Sequence, residues 1–433
     1  MKRPIRAIIV GAGHRSLIYA SLADRHPEKL QIVGVAEPNE VRRKLVQEKY
    51  GLGEDVCFHD AEELAKKGKL ADAVINGTMD DKHVETTVVL LKAGYDVLLE
   101  KPFAVNEEEM KVLEKTAREC SRKVMICHVL RYAPFYKAIK EELLRGTIGD
   151  IINIQMTEHV SYHHMAVSYV RGKWASEKIC HAPMLLAKSC HDLDLMMWFM
   201  DQTSPTDVAS FGSDFQFVKE KKPEYAGTRC LRDCPLEKNC IYSAEKNYLT
   251  PPYRWEFYVW ESLEGSDADL EKKRNSLKTD NPYGKCVWEC ERDSNVDHQS
   301  VMVRFANGST GTFNMIGGAS RAERNIHIIG TRGEIKGTFD DSRFVIRKPD
   351  PETPDGYMET AVDLKISGDK TGMKGEHGGG DMLLAEDFVN YVAGEKVFIS
   401  STSLEQSVLG HLAVFRAEKA RKENRVVSME YGE

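Results

Sequence analysis

Residues 5–16 read Ile5-Arg6-Ala7-Ile8-Ile9-Val10-Gly11-Ala12-Gly13-His14-Arg15-Ser16 and decide the fold. A short β-branched run enters a Gly-x-Gly turn, and residues suited to a helix follow. Gly11 permits the tight turn, and Gly13 lets the backbone approach a pyrophosphate at the helix N-terminus. Ser16 stands where a third glycine is frequent and is small enough for close helix–strand packing. A second apolar run, Gln31–Ala36, ends at Glu37. A carboxylate there can accept hydrogen bonds from an adenosine ribose and would repel a 2′-phosphate, so the pattern favours NAD over NADP. Gly11, Gly13, His14, Arg15 and Glu37 are therefore candidate cofactor contacts.

The pattern continues along residues 1–128. Apolar runs Ala73–Asn76, Asp96–Leu99 and Lys123–Cys127 alternate with amphipathic stretches Glu40–Tyr50, Lys82–Ala93 and Glu107–Ser121. Buried strands separated by helices predict a doubly wound parallel sheet, a Rossmann domain in an α/β chain. From 129 to 433 the pattern changes. A helix over Pro134–Arg145, a long strand over Ile151–His159 and a helix from Pro183 to Met200 come first. Ser300–Phe305 and Thr310–Met315 flank Asn307-Gly308, a hairpin signal. Strands over Asn325–Gly330, Glu334–Thr338 and Arg343–Lys348 and helices over Met382–Val392 and Leu404–Lys422 complete an α+β domain with a large, mostly antiparallel open sheet. Residues 219–293 fit neither pattern and read as a cysteine-rich insertion.

The 433 residues exceed what one hydrophobic core supports, which predicts two domains. A net charge of −7 gives no reason to expect nucleic acid or an anionic membrane as partner. No segment approaches the length of an apolar membrane span, and the expected location is the cytoplasm.

The fingerprint, Ala36-Glu37-Pro38, the turn Asn76–His83, Glu100-Lys101-Pro102 and His191-Asp192-Leu193-Asp194 together resemble the glucose–fructose oxidoreductase/inositol dehydrogenase (Gfo/Idh/MocA) family over nearly the whole chain. The resemblance implies an NAD(P)-dependent oxidoreductase of CH–OH groups, in carbohydrate metabolism. The nucleotide would lie across the first-domain strands, and the second sheet would often form a homo-oligomer interface. It implies that Thr78, His83, Glu100 and Lys101 adjoin the cofactor and that Lys101 contacts the substrate hydroxyl. Lys101 follows a strand at the mouth of the sheet, and a partly desolvated lysine can accept or return a hydroxyl proton.

The second-domain site departs from the family, which often carries an aspartate four residues before the histidine; here that position is Ala187. Lys188, His191 and Asp192 share a helical face, so Lys188 and His191 join Lys101 as candidate catalytic residues. Tyr162, His163, Arg171, Trp174, Asp192 and His377 are candidate substrate contacts, suited to a sugar or polyol. An alternative within the same family is a glycoside hydrolase using NAD, acting by transient C3 oxidation, elimination, hydration and re-reduction.

Cys230, Cys234, Cys240, Cys286 and Cys290 cluster in the insertion. In a reducing compartment this suggests a structural zinc. Their spacing is looser than the usual C-x2-C knuckle, leaving unligated thiols or an iron–sulfur cluster as alternatives.

Overall fold

The apolar runs become six parallel strands: β1 Ile5–Val10, β2 Leu30–Ala36, β3 Cys57–Phe58, β4 Ala73–Asn76, β5 Asp96–Leu99 and β6 Val124–Ile126. In this computed structural model, which describes residues 3–261, 263, 268–293, 295–364 and 377–432, they are ordered β3-β2-β1-β4-β5-β6. The order reverses between β1 and β4, which opens a crevice at their carboxyl ends. Three of the covering helices start at side-chain caps, one of them Ala61–Lys66, where Asp60 accepts the Glu63 N–H. Asn39 accepts the Arg42 N–H at helix Glu40–Tyr50, and Asn106 accepts the Glu109 N–H at helix Glu107–Glu119.

The second sheet has nine strands: β7 Ile151–Ser161, β8 Pro205–Ser213, β9 His298–Phe305, β10 Thr310–Ala319, β11 Glu323–Gly330, β12 Gly333–Thr338, β13 Arg343–Pro349, β14 Tyr357–Asp363 and β15 Val427–Ser428. Their order is β14-β13-β12-β11-β7-β10-β9-β8-β15, and only the β7–β10 pair is parallel. The β9–β10 hairpin turns at Asn307-Gly308, with Gly308 at φ 89°. β14 escapes a sequence reading because it is solvent-facing along nearly its whole length and has no buried alternation.

Helix Met184–Phe199 lies between this sheet and helix Leu404–Glu423 and is buried at almost every position. Gly410 allows the close helix approach, since a Cβ there would come within 2.8 Å of Asp194 Cα. Helix Gly380–Ala393 crosses back to the first sheet, placing Leu384, Ala385, Phe388 and Val389 in one core with Ala7 and Ile9.

Arg131, just beyond the first domain, pairs with Asp194 inside this packing. The Arg131 Nε and Nη2 donate to Asp194 at 2.7 and 2.6 Å, and both residues are almost wholly buried. Removing one partner leaves the other charge buried and unpaired. Arg131→Ala is expected to destabilise the fold by about 3–5 kcal/mol in urea unfolding; a loss below about 1 kcal/mol would contradict that account.

The insertion builds its own small core from Tyr248, Leu249, Trp255, Val259, Trp260 and Leu277. Residues 265–267 of its hydrophilic run lie outside the described residues. Cys230, Cys234, Cys240 and Cys286 line one cavity of about 390 Å³, and all ten cysteines are free. Among the described residues no three Cys, His, Asp or Glu side chains are grouped to hold a metal, so the structure offers no coordination shell for the expected zinc.

Arginines tie the insertion's loops instead. Arg171, expected at the substrate, is buried here. Its guanidinium donates to the carbonyls of Lys285 and Tyr242, the Tyr248 hydroxyl and the Cys230 sulfur. Arg229 likewise binds the carbonyls of Leu277 and Asn281. Four of the five N–H donors of its fork are thus spent inside the insertion.

Candidate active site

Gly11 has φ +77°, and a Cβ there would meet the Gly77 backbone at 2.8 Å, so the turn admits only glycine. A Cβ at Gly13 would meet nothing nearer than 4.0 Å, leaving the backbone open to an approaching phosphate. The Glu37 carboxylate accepts the Ala12 N–H at 2.6 Å and the Asn39 N–H at 2.9 Å. It thus braces the glycine turn against the end of β2, with lone pairs left for ribose hydroxyls.

Arg15 points inward. It donates to Glu100 at 3.0 Å and pairs with Asp381, which brings helix Gly380–Ala393 to the site. Burial would raise the Glu100 carboxyl, but Arg15 and Lys101 outweigh it and hold it below its ordinary value. Burial would likewise raise Asp381, yet Arg15 and His377 bring it down to about 2. Arg15 therefore organises the crevice from beneath, while its Nη1 stays without a hydrogen-bond partner among the described residues. His83 joins the Thr78 turn to the loop after Lys101, with Nδ1 2.7 Å from Pro102 O and Nε2 3.0 Å from Thr78 O. Lys101–Pro102 is a cis peptide bond.

Lys101 Nζ reaches helix Met184–Phe199 and donates to the Ala187 carbonyl at 3.0 Å. The position that departs from the family pattern is thus the one Lys101 touches. His191, one turn further on, is buried with Nδ1 unpartnered. Burial first, then the charges of Lys101 and its histidine neighbours, push it well below the usual imidazole range, so it is neutral at pH 7. His377 stands 6.4 Å from the His191 ring and bonds Asp381 through Nδ1 at 2.9 Å.

Lys188 and Asp192 turn to a different group of charges. Lys188 Nζ lies 2.9 Å from Glu158, and Arg324 holds both Glu158 and Asp192. Burial lowers Lys188 and raises Asp192 to about 6. Arg324 binds one oxygen of Asp192, Oδ1, and leaves Oδ2 buried without a hydrogen-bond partner among the described residues.

The remaining candidates form an aromatic wall. His163 Nδ1 accepts the Trp255 indole N–H at 3.0 Å, and burial takes His163 down to about 4. His164 lies 4.3 Å from the Trp255 ring, and Tyr162 is edge-on to His163. Trp174 donates to Asp80 at 2.9 Å and meets Tyr258 at 5.9 Å.

Sequence reasoning passed over His128 and His411. His128 is fully buried with both ring nitrogens unpartnered, 5.5 Å from His191 and 5.4 Å from His411. Their only sequence signal is a histidine inside an apolar stretch, which reads as core. Arg324 was equally hidden, because its pairing with Glu158 joins strands far apart in the chain.

Comparison with known proteins fits this arrangement. Residues 5–128 match an oxidoreductase family described as having an NAD-binding Rossmann fold, and residues 140–429 match its C-terminal alpha/beta domain. The putative oxidoreductase YteT of Bacillus subtilis is 25% identical over 387 residues, covering 86% of this chain and 85% of YteT. The Bos taurus trans-1,2-dihydrobenzene-1,2-diol dehydrogenase is 28% identical over 166 residues, 38% of this chain and about half (49%) of that protein. Scyllo-inositol dehydrogenase from Lactobacillus casei, solved with NAD(H) and scyllo-inositol, superposes with a TM-score of 0.65 at 15% identity, covering 99% of each chain. An oxidoreductase from Agrobacterium radiobacter, solved with NAD+, L-tartaric acid and magnesium, gives 0.67 at 13% identity over 98% of each chain. With both domain matches spanning most of its length, the chain belongs to the Gfo/Idh/MocA family of NAD-binding oxidoreductases.

Proposed function

We propose that the protein is an NAD-dependent dehydrogenase that moves a hydride between the nicotinamide and a secondary alcohol of a sugar, cyclitol or related polyol. The observation that carries this reading is Lys101 at the carboxyl end of β5, bonded to the helix that presents a neutral His191. Relatives named for inositol and dihydrodiol dehydrogenation support a hydroxyl-bearing substrate.

Gly11, Gly13, His14, Glu37, Thr78 and His83 would hold the nucleotide, and the open backbone at Gly13 fits a pyrophosphate. Bound nicotinamide supplies the hydride acceptor. Lys101 donates a hydrogen bond to the reacting oxygen and orients the carbinol. The neutral His191 ring takes the hydroxyl proton as the C–H bond is broken, with the His377 ring 6.4 Å from it between centroids. Lys188, paired with Glu158, backs the same helix face, while Tyr162, His163 and Trp174 shape the substrate's side of the crevice.

The exposed face of the second sheet carries Phe211, Met302 and Ile316, which suits a homo-oligomer interface. No described helix is long and apolar enough to cross a membrane.

The test follows absorbance at 340 nm while sugars, cyclitols and aryl glycosides are screened with NAD. Reduction of NAD by a polyol supports the reading. Release of aglycone with no net change at 340 nm would replace it with the redox-assisted glycosidase. Glu37→Ala is expected to weaken NAD binding roughly 10–100-fold, as loss of hydrogen bonds to a charged group does. NADP binding should suffer less, and titration calorimetry with both nucleotides checks it; an equal loss for both would refute the role given to Glu37.

A further inference from the structure

The insertion reaches the Rossmann domain at two places that frame the adenosine half of the crevice. Phe257 stacks on His14, at the start of the first helix, with ring centroids 4.6 Å apart and planes 16° apart. Glu261 forms an ion pair with Arg42, in the first turn of the helix that follows Glu37. One contact therefore sits on the pyrophosphate turn and the other beside the ribose carboxylate. A short helix, Glu256–Val259, spans the gap between them.

The segment is anchored away from the crevice. Trp255 is buried, bonds His163 and lies in the left-handed region at φ 62°, as does Tyr253 at φ 52°. Non-glycine residues hold that conformation only where their surroundings impose it, and such sites gather at functional clamps. On its other side Tyr258 meets Trp174, and Lys173 lies over both rings. Nothing in the hydride chemistry uses Phe257, Glu261 or Arg42.

We propose that residues 255–261 are a latch over the dinucleotide, closed by the Phe257–His14 stack and the Glu261–Arg42 pair, so that NAD is retained between turnovers. This rests on the nicotinamide reading above. A nucleotide enters or leaves along the line these contacts cross, so each exit must break both. The latch therefore acts on release more than on affinity for the transition state.

The experiment measures nucleotide release directly. Purified wild type, Phe257→Ala, Glu261→Gln and the double variant are loaded with NADH and chased with excess NAD, and loss of bound NADH fluorescence gives the rate. Native mass spectrometry reports the nucleotide each retains. The double variant is expected to release NADH about tenfold faster than wild type, equivalent to about 1.4 kcal/mol, with association changed much less. Exchanging the charges in one protein, Arg42→Glu with Glu261→Arg, should restore slow release and separates the ion pair from a folding defect. Unchanged release in the double variant overturns the latch. Faster association and tighter binding there overturn it too, because the segment would then be a plug. Failure of the wild type to bind NADH at all sinks the nicotinamide reading instead, a result distinct from either.

Discussion

Lys101→Ala is expected to lower kcat/KM by about 10³–10⁴-fold while the fold and NAD binding survive. Losing one donor aimed at the charge that develops on the reacting oxygen typically costs about 10²–10³, and Lys101 also orients the carbinol. Its side chain is only partly buried, and among the described residues its amine donates to one carbonyl, that of Ala187. Deleting it strands no buried carboxylate, since Glu100 keeps Arg15 and the Tyr19 hydroxyl at 2.7 Å. Thermal unfolding should therefore move little. Steady-state kinetics with the identified polyol, beside an NADH titration, checks the result. A tenfold loss or less would remove Lys101 from the chemistry, and a matching collapse in NADH affinity would assign it to cofactor binding.

The second large effect is acid instability that starts near pH 6.5. His128, His164, His191 and His411 are all pushed well below the ordinary imidazole value, in each case first by burial and then by neighbouring charges that include Lys101. The sign follows from proton counts. Below about pH 6.5 the unfolded chain protonates these rings and the native state does not, so stability is full above that pH and falls as acid is added. Each histidine contributes about 1.4 kcal/mol per pH unit, so four give up to roughly 5 kcal/mol per unit once all titrate in the unfolded chain. Asp381, held near 2, adds its loss only below about pH 4. Urea unfolding between pH 7.5 and 5.5 reads this directly. A flat midpoint across that range would mean that these rings charge in the native state.

The legible parts of the molecule are those where local chemistry and tertiary demand coincide. Each strand of the first sheet except β3 was readable, because a strand buried on both faces is a continuous apolar run. β3 has two residues, Cys57 and Phe58, too few for any period. Helix Met184–Phe199 was visible as a long apolar stretch, but the direction of each side chain was not. Spacing placed Lys188, His191 and Asp192 on one face. The surrounding charges then divided them, with Arg324 and Glu158 drawing Lys188 and Asp192 aside and leaving His191 to Lys101.

By itself the sequence determined the parallel sheet, the glycine turn, the carboxylate after β2 and the lysine after β5. Each follows from a steric or hydrogen-bonding need that acts within a few residues. Only the tertiary structure decided that Arg15 turns inward to Glu100 and Asp381 and that Arg171 serves the insertion. The same holds for Phe257 coming to rest on His14. Those outcomes depend on partners between 59 and 366 positions away in the chain, and for Phe257 the partner lies in the other domain. A buried charge takes whatever counter-charge the fold brings to it, and no local pattern encodes which one that is.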